Sequence, residues 1–158
     1  MSTDFPIRPL ASAGCGASFA LVVSRYNCEF TDALAQHASN EILAIEPSAT
    51  LDRVDVPGAF EIPLVVRLLA EKRKYAAILA IGVIIQGETA HAELIAGAIT
   101  TALLETSLIH HVPVIHEVLL VANPEQARAR SHHPELNRGI EAARAAVCAA
   151  RAVRSISP

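Results

Sequence analysis

Gly87-Glu88-Thr89 separates a long apolar run from a long helical pattern and is the segment best suited to an anion. Where a strand ends and a helix begins, backbone N–H groups point outward at the positive end of the helix dipole, which binds phosphate without a bound cation. Gly87 allows close approach of the backbone, and the Thr89 hydroxyl can cap the helix or donate to a phosphate oxygen, whereas Glu88 has to point away. The alternative is an ordinary helix N-cap, and the tripeptide alone does not decide between the two.

His91 follows in the first turn of the same predicted helix, at about its second residue. An imidazole exchanges protons near neutral pH, which a condensation with loss of water requires. A surface or packing histidine is the competing interpretation. Its position beside a potential phosphate site makes His91 the candidate for proton transfer.

Three other side-chain types could hold a substrate. Tyr26 follows the first predicted strand and could stack on a flat heterocycle, or it could be a partly buried tyrosine with a hydrogen-bonded hydroxyl. Glu61 follows a Pro-Gly turn and could accept sugar hydroxyls, or serve as a structural acid at a helix start. Arg128, Arg130 and Arg138 each offer the forked donors that suit a phosphate, and spacing does not choose among them.

Metal and nucleotide motifs are missing from the sequence. The seven histidines, among them the adjacent His110 and His111, lack a tight ligand pattern, and the cysteines do not join them. No Walker or GxGxxG loop is present. We therefore predict neither a metal nor an organic cofactor.

The elements that position these residues alternate along the chain. Apolar, β-branched runs predict strands at 18–23, 51–56, 76–85 and 112–121, with 51–56 patterned as an edge strand. Helical spacing predicts helices at 30–45 with Thr31 as N-cap, from about Phe60 with Lys72 to Lys74 in the last turn, and at 89–110, 123–130 and 134–151. This alternation predicts an α/β three-layer sandwich with a central parallel four-stranded sheet and ligands outside the carboxyl ends of the strands.

Length and composition exclude several classes of protein. The 158 residues suit one domain, for which we predict an N-terminal arm at 1–17 and a folded unit at 18–158. A net charge of −3 without a basic block, together with the lack of Trp, argues against nucleic-acid binding. No apolar run of membrane-spanning length and no signal peptide is evident. The widely spaced Cys15, Cys28 and Cys148 indicate reduced thiols and hence a cytoplasmic protein.

The helix predicted at 89–110 is rich in Ala and Ile and offers more apolar surface than a small domain easily covers. Burial against other subunits would resolve this excess, so we predict a homo-oligomer. A helix sandwiched inside its own fold is the alternative.

Several motifs occur together in one order, and from about Phe19 to Val147 the chain resembles lumazine synthases (6,7-dimethyl-8-ribityllumazine synthase). They are Ser24-Arg25-Tyr26-Asn27, VPGAFEIP at 56–63, GVIIQGETAH at 82–91, VPVI at 112–115, Glu125-Gln126-Ala127 and Asn137-Arg138-Gly139.

This resemblance implies a transferase of riboflavin biosynthesis that condenses 5-amino-6-ribitylaminouracil with 3,4-dihydroxy-2-butanone 4-phosphate, without metal or cofactor. It further implies a flavodoxin-like sandwich assembled as pentamers, sometimes as shells of twelve pentamers, with each site at a subunit boundary; riboflavin synthase is a possible partner. The implied catalytic residues are His91 for proton transfer and Arg130 for phosphate. The implied substrate-binding residues are Tyr26, Asn27, Ala59, Phe60, Glu61, Val83, Ile84, Ile85, Gly87, Glu88, Thr89 and His116.

The sequence departs from the family pattern at three places. Gln86 stands where many relatives carry Arg or Lys, which removes a cation beside the phosphate. His116 replaces a Phe that closes over the pyrimidine from the adjacent subunit, and Glu117 follows it where a small residue is common. Residues 131–134 replace a Gly/Lys-rich stretch. These departures keep a second hypothesis open, a non-catalytic paralogue that binds flavin or lumazine or serves as a scaffold.

Overall fold

The computed structural model describes residues 7–11, 16–134 and 136–156. Strands and helices alternate along the chain as predicted. They are β1 (Ser18–Ser24), α1 (Cys28–Ile45), β2 (Thr50–Val56), a 3-10 turn (Ala59–Glu61), α2 (Ile62–Glu71), β3 (Ala77–Ile85), α3 (His91–His110), β4 (Val114–Val121), α4 (Pro124–His132) and α5 (Arg138–Ile156).

The four strands form one parallel sheet in the order β2-β1-β3-β4. The two central strands are almost continuously apolar because both of their faces are covered, whereas β2 alternates with charged residues at an edge of the sheet. The predicted parallel sheet and the edge position of residues 51–56 are confirmed.

Successive strand residues point to opposite faces, so the sheet supports two apolar layers. Leu21, Leu79 and Ile81 pack with α1, α4 and α5 on one face, and Val22, Ile78 and Ala80 pack with α2 and α3 on the other. The predicted three-layer sandwich is therefore confirmed.

The first and last helices begin elsewhere than predicted. The first, α1, begins at Cys28, after Asn27 in the left-handed conformation (φ 59°), and the Thr31 hydroxyl donates to the Ser24 carbonyl (2.8 Å) instead of capping the helix. The last, α5, begins at Arg138 and not at residue 134, since the Asn137 side chain accepts the Gly139 amide (2.9 Å). In both cases a side-chain hydrogen bond within the preceding turn, from Thr31 at α1 and to Asn137 at α5, determines where the helix begins.

The basic segment after α2 also lies differently. The helix ends at Glu71, so residues 72–74 follow it and do not form its last turn. Lys74 reaches the carboxylate of Asp52 on β2 (2.7 Å), which Tyr75 also contacts. Lys74 is therefore stabilised by the carboxylate of Asp52 on β2 and not by the negative end of the α2 dipole.

The α3 helix leaves most of its apolar surface uncovered. Its buried residues are Ala92, Ile99, Leu103 and Thr106, whereas Leu94, Leu104, Leu108 and Ile109 are exposed. By length and composition alone, α3 is the one described helix that could cross a membrane, although Glu93 and Glu105 lie within it.

The described part of the N-terminal arm lies against α1 and α5. Arg8 pairs with Glu41 of α1 (3.0 Å), and the Leu10 carbonyl accepts from Arg151 of α5 (3.0 Å). Residues 1–6 and 12–15, with Cys15, lie outside the described residues, and the arm boundary at residue 17 stays a prediction.

Candidate active site

A cleft of about 390 Å³ opens at the carboxyl ends of β1 and β3. Eight of the predicted substrate-binding residues line it, and they are Tyr26, Asn27, Ala59, Phe60, Glu61, Val83, Ile84 and Ile85. Parallel strands deliver their carboxyl ends to one edge of the sheet, so residues far apart in sequence meet there.

The turn after β1 fixes one wall of the cleft. Asn27, left-handed at φ 59°, donates its side-chain amide to the Val83 carbonyl (2.9 Å), which ties this turn to β3. The Tyr26 amide donates to the Pro57 carbonyl (3.0 Å). Tyr26 is 70% exposed, and its ring lies so close to Gly58 that a Cβ there would sit 3.0 Å from it. Tyr26 therefore presents an open aromatic face to the cleft and is not a buried tyrosine.

Glu61 lies beside Tyr26 at the Gly58 turn, because a Cβ on Gly58 would be 3.0 Å from both side chains. Its Oε2 accepts the Gly58 amide (2.9 Å), so one carboxylate oxygen stabilises the turn into the 3-10 segment. Oε2 of Glu61 thus has the structural role that the sequence left open for this acid. The side chain is exposed at the cleft, which leaves Oε1 available for a ligand hydroxyl.

The segment 86–90 leaves the end of β3 as an exposed bend. The Gln86 amide donates to the Val121 carbonyl (2.8 Å), and the Gln86 side chain donates to Glu93 (3.0 Å). A Cβ on Gly87 would meet nothing within 4 Å, so the backbone there is open to a ligand. The helix starts later than predicted, and its N-cap position is Ala90. Of the two roles left open for the Thr89 hydroxyl, capping α3 is therefore excluded, and donation to a phosphate stays a prediction.

His91 is the first residue of α3 and is exposed, one position earlier in the helix than predicted. Ile95, one turn further along, lines the cleft. Residues four apart share a helix face, so His91 lies on the same side of α3 as the cleft residue Ile95. Neither Glu88 nor Thr89 lines the cleft itself, and the phosphate site stays a prediction.

His116 lies outside this cleft, on the edge strand β4 facing α3. Its Nδ1 accepts the Val118 amide (3.3 Å), so Nε2 carries the proton and donates to the Thr100 hydroxyl (2.8 Å). That hydroxyl donates in turn to the Ala96 carbonyl (2.8 Å). Burial lowers the pKa of His116, so this ring is neutral at neutral pH.

The three arginines left open by the sequence have different surroundings. Arg128 pairs with Glu29 (2.6 Å) and covers the Phe30 ring. Arg138 pairs with Glu117 and Glu141. Arg130 is half-buried at the end of α4 and, among the described residues, forms no ion pair. Its guanidinium is the one of the three left free for an anion.

Sequence reasoning missed Ile95 as a cleft residue and the ion pair of Glu117 with Arg138. Helical spacing from His91 could have identified Ile95. No group of three potential metal-ligating side chains occurs in the part of the chain that the structure describes.

The fold and cleft define an α/β enzyme with flavodoxin-like architecture. The family described as 6,7-dimethyl-8-ribityllumazine synthase matches residues 16–154. The chain is 38% identical to 6,7-dimethyl-8-ribityllumazine synthase 1 of Caulobacter vibrioides over 138 residues, 87% of this chain and 90% of that protein. It is 38% identical to 6,7-dimethyl-8-ribityllumazine synthase of Xylella fastidiosa over 133 residues, 84% of this chain and 86% of that one. The chain belongs to the lumazine synthase family, whose members are transferases of riboflavin biosynthesis.

Proposed function

We propose that the cleft of one subunit and the β4 edge of a neighbouring copy together form the active site for the family condensation. The β4 edge is defined here by His116 of β4 and Arg130 of α4. The observation that supports this proposal is the division of the predicted residues. Eight line one cleft, and His91 and the segment 87–89 follow directly after β3, whereas His116 and Arg130 lie away from the cleft on β4 and α4. This division favours a site that a second copy completes.

The ribitylaminopyrimidine occupies the cleft. Tyr26 stacks on its ring, and the backbone of residues 83–85 binds the ring edge. The segment 59–61 holds the ribityl chain, with Oε1 of Glu61 accepting a hydroxyl. Asn27 keeps Tyr26 in position, because its bond to Val83 holds the turn after β1 against β3.

The butanone phosphate lies at the open bend, with its phosphate on the amides of 87–89 and on the neighbour's Arg130. Since Gln86 is neutral and bonded to Glu93, Arg130 is the principal cation of this site. His91 moves protons during imine formation and ring closure. Holding both substrates together contributes about 7–11 kcal/mol of the acceleration.

The uncovered side of α3 is the contact between copies. Its exposed leucines, Leu94, Leu104 and Leu108, form an apolar surface that a neighbour would bury. Pentamers, alone or in larger shells, are the assembly we propose, acting in the cytoplasm, with riboflavin synthase as a possible partner.

A turnover assay with both purified substrates tests this function, and lumazine formation is its readout. We expect His91→Ala to lower kcat about tenfold. The loss is moderate because the variant still holds both substrates next to each other. Arg130→Ala should lower kcat/KM about a hundredfold, through loss of a charge-assisted bond to phosphate.

Arg128→Ala is the matched control, since that arginine already pairs with Glu29, and should run near the wild-type rate. Wild-type rates in both the His91 and Arg130 variants would contradict the assigned roles. Tight riboflavin binding without product would instead favour a non-catalytic paralogue.

A further inference from the structure

Glu93 occupies a position in α3 from which a carboxylate can cap its own helix. The N-cap residue is Ala90, which has no side-chain acceptor, and Glu93 is the third residue after it. A glutamate at that position can turn back and accept the backbone N–H of the N-cap residue. The positive end of the helix dipole also attracts its charge. Position and charge therefore both direct Glu93 towards the start of α3.

This chain makes that contact at another helix start. The 3-10 segment Ala59–Glu61 has Gly58 as its N-cap residue, and Glu61 Oε2 turns back to accept the Gly58 amide (2.9 Å). Glu93 has the same spacing to Ala90 but does not turn back, and among the described residues no side chain caps α3. Another group must therefore hold the Glu93 carboxylate away from the Ala90 amide.

Gln86 is the residue that binds this carboxylate. Its side-chain amide donates to Oε1 of Glu93 (3.0 Å), across the bend 87–90. Its backbone amide donates to the carbonyl of Val121, the last residue of β4 (2.8 Å), so Gln86 is itself fixed to the sheet. Because Gln86 is neutral, it leaves the charge of Glu93 in place and determines only where the carboxylate lies.

We propose that Gln86 is a positioning residue that keeps Glu93 away from the start of α3 and so leaves the bend 87–90 open to the substrate phosphate. The inference rests on the proposed function, in which the phosphate lies on the amides of 87–89. A carboxylate and a phosphate use the same backbone donors, and their charges repel each other. Without Gln86, the phosphate has to displace an anion that belongs to the protein itself.

The effect of removing Glu93 separates this role from a merely structural one. If Gln86 only fastened the bend through Glu93, loss of either partner would weaken phosphate binding equally. If Gln86 restrains a competing anion, loss of that anion is harmless, because nothing then occupies the amides. Glu93→Ala therefore decides between the two roles.

Titration calorimetry of the assembled full-length protein with inorganic phosphate tests the proposal. We expect Gln86→Ala to raise the Kd about fivefold, since phosphate must then break one hydrogen bond of the freed Glu93. Glu93→Ala should bind phosphate at least as tightly as the wild type, and adding Gln86→Ala to it should change nothing further. An equal loss in the two single variants, or no loss in Gln86→Ala, would overturn the proposal.

Gln36→Ala is the matched control. Gln36 is another exposed glutamine, and its side-chain amide donates to one side chain, that of Asn40 on α1 (2.8 Å). Its removal should leave the Kd for phosphate unchanged. If Arg130→Ala weakens phosphate binding and Gln86→Ala does not, the role of Gln86 is wrong and the proposed function stands. Phosphate binding that neither variant weakens would overturn the proposed phosphate site as well.

A crystal structure of the Gln86→Ala variant gives a second readout that does not depend on binding. We expect the Glu93 carboxylate to lie within about 3 Å of the Ala90 amide, as Glu61 lies beside the Gly58 amide in the wild type. A Glu93 side chain that still points away from the start of α3 would overturn the proposal.

Discussion

At the residue scale, His116 shows how neighbours fix the state of a side chain. The Val118 amide and the Thr100 hydroxyl hold its ring in one tautomer, and burial keeps its pKa low. The His116 ring is therefore neutral and fixed in orientation, and its charge does not change near neutral pH. It can take the stacking position on a neighbour's pyrimidine without introducing proton dependence.

Replacing this imidazole by a larger aromatic ring should strengthen stacking. We expect His116→Phe to lower the KM for the pyrimidine about threefold with little change in kcat, since aromatic stacking contributes about 0.5–1.5 kcal/mol. Thr100→Val, which keeps the imidazole but removes its anchor, should bring no such gain. Steady-state kinetics at saturating butanone phosphate measures both. An unchanged KM in His116→Phe would mean that position 116 does not face the substrate.

The arginines show where residue-scale reasoning from sequence ends. Arg128, Arg130 and Arg138 carry the same group at similar spacing. They differ in their acidic partners, and Glu29 lies about a hundred residues before Arg128. Those pairings arise only when α1 packs against α4, so no local pattern contains them. The cleft residues other than Ile95, which lies on α3, were predictable because they lie at strand ends or just after them.

At the element scale, the start of α5 explains the order Asn-Arg-Gly. Asn137 is fully buried and donates to the Ser131 carbonyl (2.5 Å) while its Oδ1 caps the helix. Gly139 lets α5 approach α1, because a Cβ there would lie 2.3 Å from the Leu34 carbonyl oxygen. Arg138 therefore lies between two residues, Asn137 and Gly139, whose positions are fixed by these contacts.

Two asparagine caps allow a matched comparison. Asn123 caps α4 from an exposed position through one bond, to the Gln126 amide (2.9 Å). We expect Asn123→Ala to cost about 1 kcal/mol of unfolding free energy and Asn137→Ala about 2 kcal/mol or more, since the latter also strands buried polar groups. Denaturant unfolding monitored by circular dichroism provides the values, and equal losses would contradict this account.

The helix bodies were predictable from spacing, and their first turns were not. The starts of α1, α3 and α5 depend on a left-handed Asn27, an exposed bend at 86–90 and the buried Asn137. The first two involve distant segments, through the bonds of Asn27 to Val83 and of Gln86 to Val121, whereas Asn137 bonds the nearby Ser131. Apolar periodicity records only which face is buried, so it contains none of these contacts. The strands were placed more closely because burial on both faces leaves an unbroken apolar run.

At the scale of the whole molecule, the exposed face of α3 should decide assembly. We expect Leu104→Glu, which places a charge in the middle of that face, to convert the oligomer into smaller species. Leu43→Glu changes an exposed leucine on α1 and serves as control. Sedimentation velocity distinguishes the two variants. An intact assembly in Leu104→Glu would show that the copies do not make contact through this face of α3.

The proposed division of the site between the cleft and the β4 edge has a consequence for hybrids. In a ring built in this way, each boundary would pair the cleft of one chain with the β4 edge of the next. Co-assembled His91→Ala and Arg130→Ala chains would therefore rebuild intact junctions wherever an Arg130→Ala chain offers its cleft to a His91→Ala chain. Random mixing in equal amounts makes roughly a quarter of the junctions whole. Two impaired proteins should thus rescue each other after joint refolding, and a site confined to one chain would allow no such complementation.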